Sequence, residues 1–193
     1  GGGGLLLRHA DLAAVRRALP SAPTLEEVLE GLVADAPVRL YLDLKGPGVA
    51  GPALRAVRAA VRHGGWDPAR LLVGTFNQYD LLRIAAYRRR HPELAAVETI
   101  LILDAVPFGL ARGFEDLQVS YVSVGQGCAL PAFVADARRR GLRTLAWTVN
   151  SPVLMRHLLD AGVHGICTDY PAEVHRVRRE REAAAAAAGT GGA

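Results

Sequence analysis

Short apolar runs rich in leucine or β-branched residues alternate with amphipathic segments along most of this chain, and that alternation limits its fold more than any other feature. The runs fall at residues 5–8, 38–45, 71–76, 99–103, 121–124, 144–149 and 165–168. Strands that take turns with helical patterns imply repeated βα units and a parallel sheet. The helices between them are marked at their ends. Thr24 with Glu27 forms a capping box, Ser151 before Pro152 reads as an N-cap with proline at the first helical position, and Asn77 with Asp80 can cap similarly. Gly64 after Arg62 and His63, and Gly141 after the run from Arg138 to Arg140, read as C-terminal glycines with cations set against the helix dipole. In the helix at 52–63, Leu54, Val57 and Val61 fall on one inward stripe.

Repeated βα units close into a (β/α)8 barrel or open into a doubly wound sheet. Polar or aromatic groups follow the apolar run at four strand ends: Asp43 and Lys45; Thr75, Phe76 and Asn77; Trp147, Thr148 and Asn150; Thr168 and Asp169. A barrel builds its site from the C-terminal ends of many strands, whereas an open sheet concentrates it at a switch point, so the spread favours the barrel. No glycine-rich dinucleotide fingerprint or P-loop follows any strand, which argues against those nucleotide sites.

At 193 residues, half of them hydrophobic, one sizeable core is expected. The domain reading is a Gly-rich end at 1–4, a barrel domain at 5–180 and an Ala/Gly tail at 181–193, in which the alanines can prolong the last helix. No transmembrane run or signal core is visible and a cytoplasmic protein is expected. Cys128 and Cys167 lack metal or disulfide spacing and read as buried thiols. The net charge of +4 comes from arginines at helix ends and in the C-terminal segment, without interleaved aromatics, so nucleic acid is not the expected partner and an anionic small molecule is.

Twenty-two arginines accompany a single lysine, Lys45, one residue beyond the 38–44 strand and on the same face as Asp43. Strand alternation puts the two about 7 Å apart along the chain. A compact ammonium suits a site that needs a point charge, and a surface ion pair is the plainer explanation.

The segments Pro23-Thr24-Leu25-Glu26-Glu27-Val28-Leu29, Leu42-Asp43-Leu44-Lys45, Gly74-Thr75-Phe76, Ala146-Trp147-Thr148-Val149-Asn150 and Gly162-Val163-His164-Gly165-Ile166-Cys167-Thr168-Asp169-Tyr170-Pro171 stand in that order. Together they make the chain, over residues 22–175, resemble the glycerophosphodiester phosphodiesterase family. The resemblance implies a distorted (β/α)8 barrel that hydrolyses glycerophosphodiesters to glycerol 3-phosphate and an alcohol with a divalent metal, Mg²⁺ or Ca²⁺. It implies Asp43 as a metal ligand, Lys45 as a catalytic and phosphate-contacting group, Phe76 and Trp147 as substrate-pocket walls, and His9 as an acid/base histidine. Hard cations take carboxylate oxygens, and a cation neutralises charge that develops on a diester in attack.

The family's H-R-G strand, E-N segment and E-x-D strand have no counterpart here. Asp43 stands where the family has Glu, and His164 where it has Asp. A barrel needs about 250 residues, so an incomplete one lacking its first two βα elements is expected. Its uncovered edge could pair with another chain. Activity of the chain itself is then expected to be impaired. The alternatives are a non-catalytic barrel acting as a binding or interaction module, and a barrel aldolase with Lys45 as a Schiff-base nucleophile.

Overall fold

The computed structural model describes residues 10–32 and 38–189. The strand expected at 5–8 and His9 lie outside the described residues. The helices are α1 (Leu12–Ala18), α2 (Leu25–Gly31), α3 (Ala50–His63), α4 (Gln78–Arg90), α5 (Pro131–Arg139), α6 (Pro152–Asp160) and α7 (Pro171–Gly189). The strands are β1 (Leu40–Leu44), β2 (Leu71–Thr75), β3 (Glu98–Leu103), β4 (Tyr121–Gly125), β5 (Arg143–Trp147) and β6 (Gly165–Ile166). The sheet carries them in chain order, β1 to β6. A doubly wound sheet reverses its order at a switch point, whereas sequential order belongs to the barrel type. The chain is therefore an α/β protein of (β/α)8-barrel type with six strands among the described residues. None of its described helices is long and apolar enough to cross a membrane.

The chain divides into two compact units: Gly1–Leu72 with Arg83–Val97, and Val73–Leu82 with Glu98–Ala193. In the first, the Thr24–Glu27 capping box starts α2, with each side chain bonded to the other's backbone N–H. Arg16 closes on Glu27 at 2.6 Å. α2 packs against α3, whose Ala53, Leu54, Ala56 and Val57 are buried, while Val61 is half-buried. Trp66 is buried beside them and donates its indole N–H to Leu29 O at 2.9 Å. Gly64 ends α3 because a Cβ there would stand 2.9 Å from Ala60 O, and the left-handed residue is Gly65, with φ +71°.

In the second unit β3, β4, β5 and β6 pair in parallel, with Ile100 opposite Tyr121, Tyr121 opposite Arg143 and Leu145 opposite Gly165. β3 and β4 are buried nearly throughout, the continuous apolar pattern of parallel strands covered on both faces. α5 contributes Phe133, Val134 and Ala137 to the core, and α6 contributes Met155, Leu158 and Leu159. α7 packs on α6 and runs on through the alanines, as their helix propensity predicts.

Two local expectations are corrected. Ser151 occupies the N-cap of α6 but makes no side-chain cap, since Pro152 leaves one fewer N–H to satisfy. Cys128 and Cys167 are free but only half-buried, because both lie on loops or strand ends rather than within core-facing runs.

Candidate active site

At the end of β1, Asp43 and Lys45 form one group. The 7 Å spacing of alternate strand positions is spanned by the long lysine side chain, and Nζ meets Asp43 Oδ2 at 2.8 Å. Both side chains are solvent-exposed, so the pair contributes only about 0–1 kcal/mol to folding and can exchange partners easily. Gly46 and Gly48 follow with φ of +97° and +78°, turning the chain sharply before α3.

The second group stands at the ends of β2 and β5. Phe76 meets Trp147 edge to face, with ring centroids 5.9 Å apart and planes at 83°. That geometry matches the positive ring edge of one aromatic to the negative face of the other. Phe76 is held at the strand end by a tight turn in which Thr75 Oγ1 accepts Asn77 N–H at 3.0 Å and Asn77 Oδ1 accepts Tyr79 N–H at 2.9 Å. Trp147 is half-buried, and its Nε1 is buried without a hydrogen-bond partner.

Asn150 does more than shape its own turn. Its Oδ1 accepts from Thr168 Oγ1 and Asp169 N–H, both at 3.0 Å, while its Nδ2 donates to Asp169 Oδ2 at 2.7 Å. Thr168 Oγ1 in turn accepts Tyr170 N–H at 3.0 Å. The loop after β5 is thereby latched to the loop after β6. Nothing local in the sequence announces this, because the partners lie 18 and 19 residues away. His164 sits at the other end of the sheet, where its Nδ1 accepts Thr144 N–H at 3.3 Å.

The structure thus brings together Asp43 with Lys45, Phe76 with Trp147, and Asn150 with Thr168 and Asp169, while His9 lies outside the described residues. A divalent ion fits poorly. Among the described residues no group of three or more His, Cys, Asp or Glu side chains could hold one. Asp43 offers a single carboxylate, already paired with Lys45.

Similarity to known proteins follows the same lines. The Probable glycerophosphodiester phosphodiesterase 2 of Mycobacterium tuberculosis is 28% identical over 158 residues, covering 77% of this chain and 57% of its own length. The glycerophosphodiester phosphodiesterase of Bacillus subtilis is 26% identical over 166 residues, covering 81% of this chain and 54% of its own. The chain therefore spans little more than half the length of these curated relatives. A crystal structure from Silicibacter pomeroyi with the same family designation superposes with TM-score 0.68 at 26% identity, covering 93% of this chain and 65% of that one. An Oleispira antarctica phosphodiesterase solved with its product sn-glycerol-3-phosphate shares the fold, with TM-score 0.67 at 23% identity over 81% of this chain and 61% of that one. Matched from residue 7 to residue 173 by the model of that family, the chain belongs to the glycerophosphoryl diester phosphodiesterase family.

Proposed function

We propose that this chain acts in the hydrolysis of glycerophosphodiesters, the deacylated products of phospholipid breakdown, to glycerol 3-phosphate and an alcohol. The observation that carries the reading is the lone lysine of the chain, set beside Asp43 at the end of β1 in a family of phosphodiesterases. An anionic diester competes with Asp43 for the ammonium, and the exposed ion pair gives it up at little cost. Lys45 then contacts the phosphate as a point charge that neutralises oxygen charge in the transition state. Phe76 and Trp147 wall the organic part of the substrate. His9 is the proton-transfer group.

Divalent-metal chemistry is general in the family, yet among the described residues no group of three or more His, Cys, Asp or Glu side chains could hold an ion. A shortened ligand retracts the carboxylate by roughly 1 Å, which matters where metal–oxygen distances are held near about 2.0–2.6 Å. Turnover by the 193-residue chain is therefore depressed. Each missing acid or base costs about 10²–10⁴-fold.

The test is release of glycerol 3-phosphate from a glycerophosphodiester by the purified chain, with and without excess Mg²⁺ or Ca²⁺. The expected result is slow turnover, abolished by Asp43→Ala and by Lys45→Ala. Lys45→Arg restores part of it, since a wide guanidinium replaces a compact charge imperfectly. Turnover at a rate ordinary for an enzyme, unchanged in Asp43→Ala, would overturn both the site and its depletion.

A further inference from the structure

The chain has two tryptophans, and they are held in different ways. Trp66 is fixed by its own indole, which is buried and donates to Leu29 O at 2.9 Å. The indole N–H of Trp147 has no hydrogen-bond partner among the described residues, and its half-buried ring meets Phe76 edge to face. The polar atom that could orient this ring is idle, so its place at the end of β5 is set largely through the backbone. That backbone is anchored on both sides. Ala146 and Val149 are fully buried, and Cys167, just after β6, bonds to both: its N–H donates to Ala146 O at 2.8 Å and its O accepts Val149 N–H at 2.9 Å. The two bonds bracket Trp147 and Thr148, where a regular parallel ladder brackets one residue. The end of β5 therefore bulges, and a bulge beside a site re-aims a side chain.

Asn150 follows the bulge directly, and its amide has one permitted orientation. Oδ1 faces the Asp169 N–H and the Thr168 hydroxyl, while Nδ2 faces the Asp169 carboxylate, which can only accept. The Thr168 hydroxyl gives its proton to Asn150 and accepts Tyr170 N–H, so each polar atom of the latch has a partner of the right kind. All four bonds are solvent-exposed. Water can replace each of them, so their net contribution to folding is modest and their effect falls on the geometry of the two loops.

We propose that Asn150 is a positioning residue of the candidate site: with Thr168 and Asp169 it fixes the bulge that carries Trp147, and so sets where the indole stands for the substrate. The use of Trp147 as a substrate wall rests on the function proposed above, whereas the placing of its ring rests on the hydrogen bonds alone. The latch makes a sharp chemical demand. An aspartate in place of Asn150 would set one carboxylate oxygen against another across the 2.7 Å now spanned by an N–H bond. Exchanging the two side chains, Asn150→Asp together with Asp169→Asn, puts a donor opposite the carboxylate again and leaves the net charge as it was.

The experiment is fluorine NMR of the full chain labelled with fluorotryptophan, first without ligand and then titrated with glycerol 3-phosphate. Trp147→Phe identifies the Trp147 resonance by its loss, and the Trp66 resonance serves as an internal control. Asn150→Asp should displace or broaden the Trp147 resonance and leave that of Trp66 in place, and the exchanged pair should return it to the parent position. Thr168→Val removes the hydroxyl at nearly constant shape and should displace the same resonance less; it decides the matter if Asn150→Asp disturbs Trp66 as well. Glycerol 3-phosphate binding, read in the same titrations, should weaken about tenfold in Asn150→Asp, the equivalent of losing one or two hydrogen bonds, and recover in the exchanged pair. A Trp147 resonance unmoved in both Asn150→Asp and Thr168→Val, or one that the exchange fails to restore, would overturn the proposal. So would a displaced ring with ligand binding at parent strength. If glycerol 3-phosphate does not bind the parent chain, the proposed function fails, and the positioning of Trp147 is judged on the ligand-free spectra alone.

Discussion

The surroundings of His164 favour its neutral form. Burial, followed by the positive charges of Arg138 and Arg143, pushes its pKa below the usual value of 6.5. Its Nδ1 must remain unprotonated to accept Thr144 N–H. The unfolded chain takes up this proton near pH 6.5 while the folded chain resists it, so the contribution to stability is complete above 6.5 and is lost as pH falls towards the lower folded value. His164→Gln keeps an acceptor and cannot titrate. Urea unfolding between about pH 7 and pH 5 should therefore show a flatter pH dependence in the variant; an equally steep profile would exclude His164 as its source. The aromatic pair is a second test at this scale. A double-mutant cycle of Phe76→Ala and Trp147→Ala, read by chemical denaturation, should give a coupling of about 0.5–1.5 kcal/mol, the value of an edge-to-face contact beyond its buried area. Additivity would mean that the rings merely adjoin.

Secondary-structure elements are tied at their ends by residues whose importance is tertiary. Asp136 of α5 is nearly buried, accepts Ala111 N–H at 3.1 Å and pairs with Arg139 at 2.9 Å and Arg140 at 3.0 Å. The hydrogen bond from Arg140, then that from Ala111 N–H and that from Arg139, hold its carboxyl below the ordinary 3.8. A depressed carboxyl stabilises the fold above its unfolded pKa and loses that contribution as pH falls through the folded value. Asp136→Asn should lower the urea midpoint at neutral pH and make acid unfolding below about pH 4 shallower. An unchanged midpoint would show that the clasp from α5 to the β3–β4 connection is idle. These ties mark what the sequence can and cannot reveal. All six strands of the described chain start and end within two residues of their apolar runs, because periodicity and burial coincide in a covered parallel sheet. The Thr24–Glu27 box is readable because its partners are three residues apart. The ties of Asp136 and Asn150 are not legible in the sequence, since Ala111 and Asp169 come beside them only after the sheet has assembled. Likewise Asp43 and Lys45 could be assigned to one strand face from alternation alone, while their direct contact depends on the lysine rotamer.

At the scale of the whole molecule, arginine and lysine divide the cationic work. Arginines of the helices pair with carboxylates on neighbouring elements or the next turn, as Arg181 does with Asp160 at 2.7 Å, Arg156 with Glu180 at 2.6 Å and Arg58 with Glu93 at 2.6 Å. Planar bidentate groups suit such fixed pairs, whereas a hydrated ammonium on a flexible stem suits a partner that comes and goes. On the proposed reading Lys45 serves ligand binding more than folding, and binding can be measured where turnover is slow. Anything that binds the folded chain alone stabilises it by RT ln(1 + [L]/Kd), about 1.4 kcal/mol at ten times Kd. Glycerol 3-phosphate added to the purified chain should raise its thermal unfolding midpoint in a saturable manner. Lys45→Ala should keep nearly the parent midpoint without ligand, because the pair it breaks is exposed, and should lose the ligand-induced rise. A rise of equal size in Lys45→Ala would move phosphate recognition away from β1, even if slow hydrolysis were still observed. No rise in either protein, at ligand concentrations that saturate phosphate sites of ordinary affinity, would separate this chain from substrate binding altogether and leave its family membership as a matter of fold.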